Sequence, residues 1–144
     1  KMQVSGWRGL FGIDVIYDEE RDNLHLIEIN ARQPASTTFE SQLQEKNREA
    51  GVQGLTVFEA HLLALTRTSN VIPLIEINDG AQIVQRVTLK TKTAPVFSNP
   101  AYTTIVYQNA KLNADLLRIQ SDRGIMETHM KFNARGKEVI ELLA

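Results

Sequence analysis

Three side chains that carry oxygen donors lie within two otherwise apolar stretches near the start of the chain. Asp14 belongs to the stretch LFGIDVIY, and Glu28 and Asn30 belong to the stretch LHLIEIN. Because successive side chains of a strand point to opposite faces, Glu28 and Asn30 project from the same face. Two carboxylates and an amide carbonyl are hard oxygen ligands of the kind that Mg²⁺ and Mn²⁺ prefer. These residues predict a divalent-cation site if Asp14 joins the other two.

The two stretches predict a β-hairpin. Leu10–Tyr17 and Leu24–Asn30 are rich in Ile, Val, Leu and aromatic residues, and the polar segment DEERDN separates them. Since both strands are apolar at nearly every position, we expect both of their faces to be covered, as in an interior strand.

The register of this hairpin decides whether Asp14 faces the other two residues. If the hairpin is centred on Arg21, Asp14 lies directly opposite Glu28. A centre half a residue away pairs Asp14 with Ile27 and turns it to the opposite face. The sequence leaves both registers open.

Convergence of the two carboxylates would be unfavourable without a counter-charge. Two carboxylates on a packed sheet face repel each other, and one of them would be pushed towards its neutral form unless a divalent cation lies between them. Arg32 follows Asn30 by two residues and can share the same face, where its planar guanidinium fits a phosphate or a carboxylate. The alternative is a solvated sheet end with ordinary polar residues.

Two Thr-x-x-Glu patterns predict capping boxes, each at the start of a helix. Apolar residues at steps of three and four follow the second pattern and predict one apolar stripe. His61 lies on this second helix and is expected to be a packed or half-exposed histidine. The boxes are Thr37 with Glu40 and Thr56 with Glu59, and the helices are expected to end near Arg48 and near Thr68.

Beyond residue 70 the pattern changes to short β-rich stretches separated by turn signals such as Asn78-Asp79-Gly80. The type of the closing segment, Lys137–Leu143, stays open. The chain is therefore predicted to be α+β, with one region over residues 1–69 and a β-rich region over residues 70–144. The predicted strands are Ile72–Ile77, Gln82–Leu89, Thr103–Tyr107 and Leu112–Ile119.

The pentapeptide LIEIN occurs twice, at residues 26–30 and again at residues 74–78. The second copy has no preceding strand with an acidic residue and continues directly into the Asp79-Gly80 turn. We interpret it as the end of a surface strand.

Two segments flank the polar turn, SGWRGLFGIDVIY at residues 5–17 and LIEINAR at residues 26–32. Together with the turn they resemble the C-terminal part of an ATP-grasp domain. That superfamily includes biotin carboxylase, carbamoyl phosphate synthetase and D-alanine–D-alanine ligase. The resemblance covers about residues 5–38. It implies that Asp14, Glu28 and Asn30 hold the Mg²⁺ or Mn²⁺ ions that bridge the ATP phosphates. Arg32 would face the γ-phosphate or an acyl phosphate.

The resemblance also has implications for the fold and for two further regions. The fold would be the C-terminal half of an ATP-grasp domain, an antiparallel sheet with helices, followed by a small β-rich region. The loop Gln33–Thr37 is similar to the loop that approaches the acceptor substrate in carboxylate–amine ligases. Arg86, in the segment GAQIVQR, resembles a catalytic arginine on a late strand of biotin carboxylase; the alternative is a surface strand arginine.

The implied activity is ATP-dependent ligation, in which a carboxylate becomes an acyl phosphate that an amine or similar nucleophile attacks. In the superfamily, two lysines, a mobile glycine-rich loop and an adenine-binding hinge lie upstream of the matched motif. The chain begins Lys1-Met2-Gln3, and we expect it to be a fragment that is inactive alone. The expected partners are ATP, a small carboxylate or amine substrate and the N-terminal part of the same protein. The alternative is a non-catalytic binding or interaction domain whose acidic sheet end is structural or binds Ca²⁺ loosely.

Composition excludes several other classes. The chain has 16 Lys and Arg against 17 Asp and Glu, a formal net charge of −1, which argues against a nucleic-acid footprint. It has no cysteine, which excludes a disulfide scaffold, a thiolate zinc site, an iron–sulfur cluster and a cysteine nucleophile. No apolar run approaches the roughly 20 residues that span a bilayer. We expect a cytoplasmic protein without a membrane partner, and we leave homo-oligomer formation open.

The three glycines at positions 6, 9 and 12 match neither a dinucleotide-binding fingerprint nor a Walker motif. We expect them to serve turns and close packing.

Overall fold

The computed structural model describes residues 4–69, 71–128 and 130–143, so the Lys1-Met2-Gln3 start lies outside the described residues. Within these ranges the fold is mixed α+β, with antiparallel sheets and three helices, and it divides into two compact units, Lys1–Ile77 and Asn78–Ala144. No helix of the described ranges combines the length and the apolar composition needed to cross a membrane. In chain order the elements are β1 (Gly12–Asp18), β2 (Asn23–Asn30), α1 (Thr37–Glu49), α2 (Val57–Leu65), β3 (Ala81–Arg86), β4 (Thr103–Val106), β5 (Asp115–Ser121), β6 (Met126–Thr128), β7 (Lys131–Phe132) and α3 (Ala134–Leu143).

The predicted hairpin is confirmed: β1 and β2 pair antiparallel. Hydrogen bonds from the polar segment close its turn, because Asp18 Oδ1 accepts the backbone N–H groups of Glu20 and Arg21 at 3.1 and 3.2 Å. The Tyr17 hydroxyl donates to Asp22 Oδ1 at 2.8 Å, and Asp22 adopts a positive φ of 48°. A short polar side chain at this position tolerates the left-handed backbone that the turn requires.

The expectation that both hairpin faces are covered is wrong for the described residues. Ile13 is 57% exposed on one face and Ile16 is 58% exposed on the other. The physical reason is that β1 and β2 form a two-stranded sheet in the described chain, so neither strand is an interior one. The apolar composition of the strands therefore does not reflect burial within this unit.

The first predicted capping box is wrong. Ser36, and not Thr37, is the N-cap residue of α1, and its side chain makes no capping hydrogen bond. Thr37 is the first helical residue, is only 1% exposed and has no hydrogen-bond partner for its Oγ1. The N–H of Glu40 bonds to the Ser36 carbonyl, which is the ordinary helical bond.

The second predicted capping box is confirmed at the start of α2. Thr56 Oγ1 accepts the N–H of Glu59 at 3.1 Å, and Glu59 Oε2 accepts the N–H of Thr56 at 2.8 Å. The helix ends at Leu65, three residues before the predicted end near Thr68. Arg67 has a positive φ of 58°, which a continuing right-handed helix does not allow.

Polar side chains join the two helices of the first unit. The Arg48 guanidinium donates to Glu45 at 2.7 Å, to Glu59 at 2.5 Å and to the Gly54 carbonyl at 3.0 Å. The hydrogen bond with Glu59 raises the pKa of Arg48. That same bond, followed by the backbone hydrogen bond from Thr56, lowers the pKa of the Glu59 carboxyl.

Gln44 links three segments of the first unit. Its side chain is 2% exposed, its Nε2 donates to the Ile75 carbonyl at 2.7 Å and its Oε1 accepts the Val57 N–H at 2.8 Å. A buried side-chain amide is favourable when both its oxygen and its nitrogen are hydrogen-bonded. Without Gln44, the Ile75 carbonyl and the Val57 N–H would lose their partner, which would reduce the free energy of unfolding.

The predicted strand Ile72–Ile77 is wrong, because the described residues form only a single parallel bridge between Leu55 and Leu74 there. The segment instead runs beside the helices, where Gln44 and Leu55 satisfy its backbone. The first unit therefore extends to Ile77.

The second unit is built on an antiparallel sheet in which β5 lies between β3 and β4. Its core joins Leu117 and Ile119 of β5 with Val139 of α3. The closing segment is thus the helix α3, whose apolar side packs on the sheet. The predicted strands Gln82–Leu89, Thr103–Tyr107 and Leu112–Ile119 correspond to β3, β4 and β5, with ends that differ by up to three residues.

We predict that Gln44→Leu destabilises the chain by about 2–4 kcal/mol, because two backbone groups lose their buried partner. Urea denaturation followed by circular dichroism measures this loss. Gln42→Leu, at an exposed position of the same helix, is the matched control and should change stability by no more than about 0.5 kcal/mol. Equal losses for the two variants would contradict the role of Gln44.

We predict that the Arg48–Glu59 interaction weakens in acid. A carboxyl whose pKa is lower in the folded state stabilises the fold above its unfolded pKa of about 4.3, and this contribution is lost as the pH falls through the folded pKa. Glu59→Gln keeps a capping-box side chain but removes the charge, so its unfolding free energy should depend less on pH between 5 and 2 than that of the wild type. Both side chains are partly exposed, so the difference should be no more than about 1 kcal/mol.

Urea titrations across that pH range measure how steeply the unfolding free energy changes with pH. Glu49→Gln, at an exposed position of α1, serves as the control and should keep the wild-type slope. The same slope in Glu59→Gln and in the wild type would show that the ion pair carries no pH dependence.

Candidate functional site

The hairpin uses both of the registers that the sequence left open. Near the turn, Val15 pairs with Leu26, which is the register that would have placed Asp14 opposite Ile27. The register shifts between Asp14 and Val15, so that Asp14 pairs with Glu28 instead and Ile27 has no cross-strand partner. This extra residue is a β-bulge. It restores the alternation that places Asp14 and Glu28 on the same face.

The structure brings together the three predicted oxygen-bearing residues at the open end of the hairpin. Asp14 and Glu28 are cross-strand partners, and Gly12 pairs with Asn30. Asn30 Nδ2 donates to Asp14 Oδ2 at 3.2 Å, which confirms that these two side chains lie on one face. Asp14 and Glu28 are exposed and Asn30 is half-buried.

The side chains of Asp14, Glu28 and Asn30 offer carboxylate and amide oxygens, which are the ligands that hard divalent cations prefer. Directly opposed carboxylates repel each other, and a cation between them removes that repulsion. The amide carbonyl oxygen of Asn30 is the third available oxygen. No group of three or more His, Cys, Asp and Glu in the described residues is arranged to hold a metal. With two carboxylates and one amide, the candidate site would rely on water or phosphate oxygens for the remaining ligands, as Mg²⁺ sites commonly do.

Arg32 lies at the same end of the hairpin but outside the strand. β2 ends at Asn30, and the Arg32 N–H donates to the Asn30 carbonyl at 2.8 Å in a bend. Because the strand has already ended, side-chain alternation does not extend to Arg32, and its exposed side chain is not held on the face of the three oxygen ligands by the sheet.

The loop Gln33–Thr37 leads from this end of the hairpin into α1. The Thr37 N–H donates to the Pro34 carbonyl at 3.3 Å. This bond closes a turn directly before α1, which begins at Thr37.

Arg86 is the last residue of β3 in the second unit. Its side chain is 65% exposed, and its Nε lies 3.8 Å from Asp115 Oδ1. Asp115 Oδ2 accepts two shorter hydrogen bonds from Arg118, at 2.6 and 3.1 Å. The Arg118 guanidinium also lies 5.6 Å from the centre of the Tyr107 ring. Arg86 is therefore the weakly held member of a surface ion-pair cluster.

The second LIEIN copy differs from the first in its surroundings. This copy lies at the surface as interpreted, with all of its residues but Ile75 exposed, but the prediction of a strand end is wrong, because Leu74 forms only an isolated bridge. The Glu76 carbonyl accepts a hydrogen bond from Asn47 Nδ2 at 2.9 Å. The same five letters are a bulged strand in one place and a non-strand segment in the other, because the partners differ.

A glycine and a histidine form a contact that the sequence did not reveal. His61 Nδ1 accepts the N–H of Leu10 at 3.0 Å, and a Cβ on Gly9 would clash with the His61 ring. His61 is half-buried on α2, as expected. Its partner lies 51 residues away. The glycine spacing was a signal for close packing, but nothing in the pattern indicated what packs there.

Comparison with protein-family models, with curated proteins and with solved structures found no match to this chain.

We predict that Glu28→Gln stabilises the chain slightly when divalent cations are absent. The substitution removes one of two directly opposed negative charges, a change of about 0.5 kcal/mol that should raise the unfolding temperature by about 1–2 °C. Thermal unfolding in the presence of a chelator measures this. Glu76→Gln, which makes the identical change in the second LIEIN copy, should leave the unfolding temperature unchanged. A lower unfolding temperature for Glu28→Gln would contradict repulsion between the carboxylates.

Proposed function

We propose that the first unit supplies the metal-binding and phosphate-binding side of the active site of an ATP-dependent ligase of the ATP-grasp type. The observation that carries this proposal is the bulged register, which sets Asp14 opposite Glu28 with Asn30 hydrogen-bonded to Asp14. Three oxygen-bearing residues on one face of the hairpin, in the order and spacing of the resemblance, support a cation that is shared with phosphates.

The roles of the residues follow from charge and geometry. Asp14, Glu28 and Asn30 would hold Mg²⁺ or Mn²⁺, which when bound neutralises the charge that develops on a transferring phosphoryl group. Arg32, at the same end of the hairpin, would approach the γ-phosphate or the acyl phosphate. Because its side chain is exposed and leaves the strand, Arg32 has the freedom to close on a phosphate after nucleotide binds.

The proposed substrates are ATP, a small carboxylate and an amine or similar nucleophile. Phosphoryl transfer depends mostly on positioning and charge neutralisation, so a complete site also needs groups that hold the nucleotide. In our proposal the N-terminal part of the same protein carries those groups, and the 144 residues alone bind the cation without ligating substrates. The resemblance also implies a catalytic role for Arg86.

The alternative is a non-catalytic binding or interaction domain with a structural acidic sheet end. In that case the carboxylates would have no selective role in nucleotide chemistry. The two LIEIN copies allow a direct distinction, since the same substitution can be made in a copy that is paired with Asp14 and in one that is not.

We predict that the chain binds Mn²⁺ at the hairpin and that Glu28→Gln weakens this binding at least about tenfold, because even supporting residues of metal sites typically contribute that much. In the wild type, Mn²⁺ should broaden the NMR amide signals of residues 12–16 and 28–30 at the lowest concentrations that have any effect. Titration of the broadening gives the apparent Kd, and competition with Mg²⁺ shows that the site accepts both ions.

Glu76→Gln is the matched control and should keep the wild-type Kd. In the longer protein that we propose, Glu28→Gln should abolish Mg²⁺-dependent ATP turnover and Glu76→Gln should leave it nearly unchanged. Equal effects of the two substitutions would reject the assigned site. Mn²⁺ binding with no ATP turnover in the longer protein would favour the non-catalytic alternative.

A further inference from the structure

A hydrogen bond joins the backbone that leads into β1 to a side chain of α2. His61 Nδ1 accepts the N–H of Leu10 at 3.0 Å, and both residues are half-buried. Leu10 lies two residues before Gly12, where β1 begins, and four residues before Asp14. The hydrogen bond therefore fixes the backbone that runs directly into the strand carrying Asp14.

Gly9 makes this close approach possible. It has a φ of +84°, and a Cβ built on it would lie 2.7 Å from His61 Cε1 and even closer to Nδ1. Real Cβ atoms do not approach a ring this closely, so the backbone at Gly9 and the imidazole fit together only because the side chain is absent. Gly6 has a similar φ of +77° but has nothing within 4 Å of its added Cβ.

The hairpin is a two-stranded sheet in the described residues. β1 pairs only with β2 in the described residues, and the side chains of both strands are largely exposed. A two-stranded ribbon is marginally stable by itself. A tether at the beginning of β1 thus restricts how far Asp14 can move relative to the rest of the first unit.

We propose that His61 is a positioning residue that holds the start of β1 on α2 and so sets the placement of Asp14 in the cation site. The inference rests on the proposed function, because it concerns the same site. The imidazole acts as an acceptor through Nδ1, so it is neutral and carries its proton on Nε2. His61 touches neither the cation nor the nucleotide in this role.

Substitutions at His61 separate the hydrogen bond from packing. Asn places its Oδ1 at the position of Nδ1 and can accept the same N–H, whereas Leu fills space without an acceptor. We expect His61→Leu to weaken Mn²⁺ binding at least fivefold and His61→Asn to restore it to within twofold of the wild type. Loss of binding in both variants would assign His61 to packing, and unchanged binding in His61→Leu would also overturn the proposal.

A pair of glycine substitutions tests the same contact without altering His61. Gly9→Ala and Gly6→Ala introduce similar backbone strain, but only the first drives a Cβ into the imidazole. Gly9→Ala should weaken Mn²⁺ binding at least fivefold and Gly6→Ala less than twofold. Equal effects would show that backbone strain, and not the fit to His61, is responsible.

A readout that does not use the metal distinguishes failure of this inference from failure of the proposed function. The ¹⁵N NMR spectrum of the imidazole should show the Nε2–H tautomer with Nδ1 as acceptor in the wild type and in Gly6→Ala, and this signature should be lost in Gly9→Ala. If the wild type shows the signature but no Mn²⁺ binding near Asp14, the proposed function fails and the positioning role fails with it. If the wild type binds Mn²⁺ and the variants bind equally well, only the role of His61 fails.

Discussion

The first unit depends on one extra residue in a strand. A regular hairpin that continued the pairing of Val15 with Leu26 would turn Asp14 away from Glu28, since one step of register moves a side chain to the opposite face. The bulge at Ile27 corrects this over a single position. Bulges often lie next to functional sites because they redirect a side chain without disturbing the remainder of the sheet. The convergence of the three oxygen ligands follows from it.

The two units are stabilised in different ways. The second has an apolar core in which Leu117, Ile119 and Val139 exclude solvent. The first relies on buried or half-buried polar side chains that satisfy distant backbone groups, Gln44 and Arg48 in particular. Such bonds are directional, so they define how the helices and the following segment meet more strictly than apolar contacts would.

The exposed apolar hairpin and the opposed carboxylates share a physical consequence. Each is unfavourable for the isolated unit, the first through apolar surface in water and the second through repulsion between Asp14 and Glu28. Features that reduce stability without an evident structural gain are typical of functional regions. A bound cation offsets the repulsion, and our proposal assigns the Asp14–Glu28–Asn30 face to that role.

The sequence by itself determined the hairpin, the α2 capping box and the α+β class, because strand composition, turn residues and capping pairs act over a few neighbouring residues. It also singled out the three oxygen-bearing residues as types that are unusual in apolar strands. Only the tertiary structure decided their register, the extent of the first unit and the position of Ser36 as the N-cap of α1. The same holds for Gln44 and His61, whose partners lie 31 and 51 residues away along the chain. Contacts at such separations depend on how whole elements pack, and no local pattern encodes them.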